Sequence, residues 1–350
     1  MPESDRFLAS DMEVDMGSET SRVRDIKAGT QCSRLCSLSL TVRRALHPLD
    51  CLMKICGLTY GASCPLVTKT GTMHKIQRSY TIVVAAVLSI AAFRYILMFF
   101  VKKSYPTFVN IEYLVWHGKC MIQALYCIFI CSRYGRKVSR LQELIWEYDM
   151  QLDKYKNPCP VIERRFLRYS RVIFGLMFVV VLFNIGILAA SLFLPGLGSL
   201  AALDPLIAPL KPTFPAKILF FVVSVYFTVS WMLPVVLYCI LCAGLCLIFD
   251  QFCITLTNLE CKSVKKRIRY IRDDYNKLQK LASCTDELVG FMALCVYLLD
   301  VVLFCFHMYH LIYYSTDTLS KLGPGFWSFI SVCNLVFVSL SASKVAEKVS

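Results

Sequence analysis

The stretch Ile218–Phe249, ILFFVVSVYFTVSWMLPVVLYCILCAGLCLIF, runs for 32 residues without a charged side chain. About 20 apolar residues are enough to cross the hydrocarbon core of a bilayer, so this stretch predicts a membrane-spanning helix. At 1.5 Å per residue the helix would be roughly 48 Å long, well beyond the roughly 30 Å of that core. We therefore expect it to continue out of the membrane into the cytoplasm.

Five further apolar runs lie on either side of this stretch. The predicted spans lie near residues 80–100, 111–131, 172–194, 218–249, 288–314 and 326–342. The chain is 57% apolar and has a mean hydropathy of +0.56, whereas soluble domains are about 45–50% apolar. Composition and pattern together predict an all-α fold, a polytopic transmembrane helical bundle embedded in a lipid bilayer.

The basic residues between the spans indicate an orientation. Thirty Lys and Arg residues lie in segments 21–79, 133–171, 250–287 and 343–350, and the segments that face the other side hold five. Cytoplasmic loops carry the excess of Lys and Arg, which predicts a multi-pass plasma-membrane protein with both termini in the cytoplasm. The net charge of +14 is then a topology signal, and we expect no nucleic-acid partner.

The N-terminal segment is acidic and differs from the rest of the chain. Its first twenty residues hold one basic side chain, Arg6, against six acidic ones, namely Glu3, Asp5, Asp11, Glu13, Asp15 and Glu19. A secretory signal peptide needs a basic start followed by an apolar core, and this segment has neither. We predict that residues 1–45 form a disordered cytoplasmic tail and that residues 46–350 form the transmembrane domain.

A helical repeat follows the fourth span. Its apolar residues alternate steps of three and four, at Val264, Ile268, Ile271, Tyr275 and Leu278. This spacing places them on one helix face, with the period of helix–helix packing. Two interpretations fit the pattern: a packed cytosolic helical bundle, or amphipathic helices lying on the inner leaflet. The narrow, regular apolar face favours the bundle.

Polar residues inside the spans are candidates for a binding site, because they are costly in lipid and usually face the bundle interior or a cavity. The predicted ligand-binding residues are Asn184, Tyr226, Trp231, Asp300, His307, His310 and Tyr314. Asp300, His307 and Tyr314 follow one another at steps of seven, on one helix face. Structural roles compete with binding: an interhelical hydrogen bond for Asp300, and an interfacial aromatic belt for Tyr309, Tyr313, Tyr314 and Trp327.

Motifs of enzymes and cofactor proteins are not found in the sequence. No nucleotide-binding loop, catalytic triad or Cys/His spacing typical of zinc appears. His307 and His310 lie one turn apart but have no clear third metal ligand in sequence. We therefore predict no catalytic residues, no metal and no cofactor.

Three stretches resemble segments of a known family. They are His47–Leu58 (HPLDCLMKICGL), which ends in Gly-Leu before the first span, Arg269–Gly290, with Tyr275, Leu278, Leu281 and Glu287, and Ser341–Lys348 (SASKVAEK) after the sixth span. With the inward N-terminus and the long inward helices, they are similar to the insect gustatory receptors and their gustatory-receptor-like relatives. The resemblance covers residues 46–350.

The resemblance implies a function in chemoreception, specifically the sensory perception of taste. It implies a ligand-gated, non-selective cation channel of four subunits, joined by a cytosolic helical anchor. Each subunit would bind a tastant-like small molecule in the outer half of the membrane, among spans three to six.

One family feature is missing from the sequence. The family has a seventh span that lines the pore and carries a Thr-Tyr…Gln-Phe signature, and the sequence stops at Ser350, ahead of that position. We expect a fragment or a truncated product. The alternative is a non-conducting partner or scaffold of the same fold. A G-protein-coupled receptor is a third hypothesis, but it requires an outward N-terminus and seven spans.

Overall fold

The computed structural model describes residues 37–58, 71–101, 107–131, 160–194, 213–257, 264–315 and 318–349, with a few more between 140 and 147. This part of the chain holds seven long helices and no strand. They are α1 (Ser37–Ile55), α2 (Gly71–Val101), α3 (Thr107–Cys131), α4 (Pro160–Phe193), α5 (Phe214–Thr257), α6 (Val264–Tyr313) and α7 (Thr318–Val349). The predicted all-α fold is confirmed.

Five of these helices, α2 and α4–α7, are long and apolar enough to cross a membrane by length and composition. The predicted second span, 111–131, coincides with α3, which has 25 residues and is not among the five. Glu112, Lys119 and Gln123 interrupt its apolar sequence, and all three are buried against other helices. That α3 crosses the membrane stays a prediction.

Helix α5 lies at the centre of the bundle. It contacts each of the six other helices. In its most apolar stretch 83% of the residues are buried, against 28–39% in the other four membrane-length helices. A helix that is apolar on every side needs neighbours on every side, and this explains why the uninterrupted run at 218–249 occupies the core.

The outer helices present apolar side chains away from the bundle. On α2, Ile82, Val83 and Ile90 are more than half exposed, and on α4 so are Val172 and Val179. A soluble bundle would carry polar residues at these positions, because large exposed apolar surfaces mark contacts with lipid or protein. The outward faces of α2 and α4 therefore fit a lipid environment.

Several helices are longer than a bilayer requires. Helix α6 is continuous for 50 residues, roughly 75 Å at 1.5 Å per residue. Helix α5 is continuous for 44 residues and extends past both ends of the predicted span at 218–249. That it continues into the cytoplasm stays a prediction. Helix α4 begins at Pro160, ahead of the predicted span at 172, because proline suits the first position of a helix.

The N-terminal boundary also differs from the prediction. Helix α1 begins at Ser37, inside the segment predicted to be a disordered tail up to residue 45. Val42 and Ala45 are buried in the main core, and this packing explains why the segment is helical. Residues 1–36 lie outside the described part of the chain.

The Gly-Leu ending of the pre-membrane stretch forms a helix cap. Gly57 has φ +66°, and the N–H groups of Gly57 and Leu58 donate to Lys54 O at 3.2 Å and Met53 O at 2.8 Å. This is the pattern of a glycine C-cap. Burial raises the pKa of the adjacent Cys56 thiol to about 11, so the thiol stays protonated at neutral pH.

Candidate ligand-binding site

Two buried ion-pair contacts join α3 to α6. The helices run antiparallel, and Glu112 Oε1 lies 2.6 Å from His307 Nδ1, while Lys119 forms a salt bridge with Asp300. Each helix places its two residues seven positions apart, on one face. Because the two helices are antiparallel and both spacings are seven residues, the two contacts can form at the same time. The acidic residue lies on α3 in one contact and on α6 in the other, and this arrangement specifies the register of the helices.

The carboxylate of Glu112 is held by two histidines. His310 Nδ1 lies 2.9 Å from Glu112 Oε2, so both carboxylate oxygens have an imidazole partner. The Glu112 side chain is 4% exposed, and burial without such partners would be costly. The contacts of 2.6 and 2.9 Å are direct hydrogen bonds. Within the described residues, no group of three acidic, histidine or cysteine side chains is arranged to hold a metal ion.

The Lys119–Asp300 salt bridge lies deeper in the bundle. Both side chains are fully buried. Asn334 of α7 donates from Nδ2 to Asp300 Oδ2 at 3.4 Å, and Lys119 Nζ lies 5.8 Å from the centre of the Trp231 ring of α5. The charged pair therefore connects α3, α5, α6 and α7 at a depth where an unpaired charge would be strongly unfavourable.

A further set of polar contacts, centred on Asn184, joins α4, α5 and α7. Asn184 of α4 donates from Nδ2 to Thr228 Oγ1 of α5 at 2.8 Å. It accepts from Trp327 Nε1 of α7 at 2.8 Å. The amide thus uses both its donor and its acceptor to join three helices.

These contacts border a narrow cavity. Its walls are mainly aromatic and aliphatic, and part of it is open to solvent. The lining residues are Glu112, Tyr113, Trp116, Leu188, Trp231, Leu303, His307 and Trp327. The cavity lies toward the end of the bundle where α3 and α7 begin and α4 and α6 end. Apolar walls with a few directed polar groups are typical of small-molecule sites.

The structure places the seven predicted binding residues in three groups. Trp231 and His307 line the cavity. Asn184 and His310 contact the lining residues Trp327 and Glu112, and Asp300 pairs with Lys119, which lies 5.8 Å from the ring of the lining residue Trp231. The remaining two, Tyr226 and Tyr314, contact residues that are not part of the lining.

Tyr226 and Tyr314 have other neighbours. The hydroxyl of Tyr226 lies 2.8 Å from that of Tyr80 on α2, which itself donates to Ile55 O at 2.6 Å. Tyr314 is 40% exposed, and its ring stacks 5.8 Å from Phe108. Tyr314 therefore fits the interfacial-belt interpretation, whereas Trp327, assigned to the same belt, lines the cavity.

Glu112 and Lys119 were not among the predicted site residues. Both are ionisable residues inside a predicted span, which is the signal that singled out Asp300. Their spacing of seven on α3 mirrors that of Asp300 and His307 on α6. Two spans that each carry ionisable residues seven positions apart can pair them, and this common spacing would have predicted both contacts.

The predicted anchor residues fall on the first part of α6. Val264 is its first residue. Leu278 is fully buried in the main core and Ile271 packs against it. Ile268 and Tyr275 are 56% and 42% exposed, so this chain alone leaves two of the five largely uncovered.

The fold of these helices is shared with a solved insect receptor. It is similar to the insect olfactory receptor OR5 from Machilis hrabei, with a TM-score of 0.70 and 14% identity over 89% of this chain and 81% of that one. It is also similar to the same receptor in complex with eugenol, with a TM-score of 0.71 and 14% identity over 89% of this chain and 82% of that one. No family model and no curated protein sequence matches the chain.

Proposed function

We propose that this chain is a chemosensory receptor of the gustatory-receptor-like class, which binds a small organic molecule in the cavity and acts as a subunit of a ligand-gated cation channel. The observation that carries the proposal is the aromatic-walled cavity, found within a fold shared with an insect olfactory receptor. That receptor has been solved in complex with eugenol. The distribution of basic residues supports an outward position for the cavity end.

Filling the cavity tests the proposal. Leu303 lines the cavity and is fully buried, whereas Leu298, on the same helix, is 60% exposed. Whole-cell currents are recorded from cells that express the full chain, while a panel of neutral volatile organic compounds is applied. Leu303→Trp is expected to abolish a response that Leu298→Trp preserves, with equal surface delivery. Equal responses from the two variants would contradict binding in this cavity.

A separate result tests whether the chain acts as a channel subunit. Binding of a small molecule to purified protein, with surface delivery but no current in any cell, would contradict the channel and leave the receptor proposal standing.

We also propose that the exposed apolar face of α6 anchors an oligomer, a tetramer in the class proposed. Ile268 and Tyr275, seven residues apart, are the exposed part of the predicted heptad. Replacing both by Ser is expected to shift native mass spectra from tetramer to smaller species. Replacing the exposed Arg272 by Ser serves as the control on the same helix. Tetramers that survive the double substitution would contradict the anchor.

A further inference from the structure

Trp231 has a buried hydrogen-bond donor without a partner. The residue is 2% exposed, it lines the cavity, and its Nε1 has no hydrogen-bond partner in the described part of the chain. Buried indole N–H groups usually find a partner, because a donor removed from water loses its hydrogen bonds. An unpaired donor in a cavity wall indicates that a bound molecule supplies the acceptor.

Glu112, His307 and Trp327 in the cavity wall already have hydrogen-bond partners. Glu112 accepts from both His307 and His310, and Trp327 donates its indole N–H to Asn184. Among the lining residues, Trp231 supplies the buried nitrogen that is still unpaired.

The charged groups around the cavity already have partners, and this limits the charge of the ligand. Glu112 accepts hydrogen bonds from His307 and His310, and Lys119 forms a salt bridge with Asp300. A charged ligand would find no unpaired counter-charge in these groups, and burying it would be costly.

We propose that the cavity takes a neutral, mainly apolar molecule with a carbonyl, ether or hydroxyl oxygen, and that this oxygen accepts a hydrogen bond from Trp231 Nε1. The inference rests on the proposed receptor function and names the chemical class of the ligand. The indole and phenol rings of Trp116, Trp231, Trp327 and Tyr113 provide flat walls that suit a planar body. The Trp231 N–H would position its oxygen.

The test compares two molecules of nearly equal shape. Acetophenone has a carbonyl group where α-methylstyrene has a vinylidene group, so the pair differs in the acceptor alone. Binding is measured by isothermal titration calorimetry on the purified full chain in detergent, against a micelle blank. Wild-type protein is expected to bind acetophenone about five-fold more tightly, the factor that one net neutral hydrogen bond supplies.

Two matched variants then locate the donor. Trp231→Phe keeps an aromatic ring and removes the N–H, and it is expected to bring the two affinities within two-fold. Trp116→Phe removes an indole from the same wall, so it is expected to weaken the binding of both compounds alike and to keep their five-fold ratio. The inference is overturned if wild-type protein shows no preference, if Trp231→Phe retains the preference, or if neither compound binds.

A measurement on wild-type protein covers the case in which Trp231→Phe does not fold. The chain has four Trp residues, so ¹⁵N-labelled indoles give four resonances. The Trp231 N–H proton is expected to move downfield with acetophenone and not with α-methylstyrene, and equal movements would overturn the inference. Binding is measured on purified protein and does not depend on current. Selective binding without any current would therefore contradict only the proposed channel activity. An acetophenone-evoked current that Trp231→Phe leaves unchanged would contradict only the ligand class.

Discussion

Replacing Asp300 by Asn removes the charge that compensates Lys119 and keeps the size of the side chain. Both side chains of the pair are fully buried, so the Lys119 ammonium cannot reach water. Breaking a buried pair from one side typically costs about 3–5 kcal/mol, because it leaves an uncompensated charge in the interior. The oxygen of the new amide could still accept from Asn334, which offsets little of that loss.

The loss should be visible as thermal destabilisation. Each kcal/mol lowers Tm by about 2–4 °C in a domain of 150–250 residues, and this longer chain belongs at the low end, so Asp300→Asn should lower Tm by roughly 6–10 °C. The assay follows the monodisperse size-exclusion peak of detergent-solubilised protein after heating. Asp250→Asn is the matched control, because Asp250 pairs with Lys348 at 2.7 Å with side chains 37% and 42% exposed, where such pairs contribute about 0–1 kcal/mol.

A double substitution separates charge burial from packing. Lys119→Met with Asp300→Leu removes both charges and keeps apolar volume, and replacements of this kind are often neutral or stabilising by about 1–4 kcal/mol. We expect the double variant to be at least as stable as wild-type protein. The reasoning is refuted if Asp300→Asn shifts Tm no more than Asp250→Asn does, or if the double variant is as unstable as Asp300→Asn.

Three further predictions use the same expression system. Gly57→Ala should lower stability by more than about 1 kcal/mol, because φ is +66° and a Cβ would lie 2.7 Å from Val84 Cγ2. The control is Gly118→Ala, whose Cβ would have nothing within 4 Å. It should raise stability by about 0.5–1 kcal/mol in the same melting assay. A larger loss at Gly118 than at Gly57 would contradict the cap. Glu112→Gln leaves two imidazoles competing for one amide oxygen and should cost about 1–3 kcal/mol, and an unchanged Tm would show that the two contacts do not stabilise the bundle. An epitope tag at Met1 should stain only permeabilised cells, and staining of intact cells would reverse the proposed orientation.

Much of the fold followed from local properties of the sequence. The helical spans are predictable because each residue in lipid must satisfy its backbone within its own helix, so length and apolarity suffice. The helix cap at Gly57 has the same local character, since few residues other than glycine adopt a positive φ readily. The helical character of 37–45 was missed because it depends on burial against distant helices.

The site was only partly predictable. Polarity within the spans indicated Asp300 and His307, because an ionisable group in a membrane needs a partner. It could not indicate which partner, since that depends on the antiparallel register of α3 and α6. Tyr226 was assigned to the cavity from its depth along α5, but its hydroxyl contacts Tyr80 on α2. Depth along a helix is a property of the sequence, whereas the direction a residue faces depends on its neighbours.

The uninterrupted run at 218–249 shows most clearly which features are predictable from the sequence and which depend on packing. A long apolar helix is predictable here because no charged residue interrupts the segment. The central position of α5, in contact with the six other described helices, became visible in the packing of the bundle. So did the place of Trp231 in the cavity wall, with an N–H that is unpaired among the described residues. Apolar burial is non-directional, whereas a hydrogen bond requires a particular atom at a particular distance and angle.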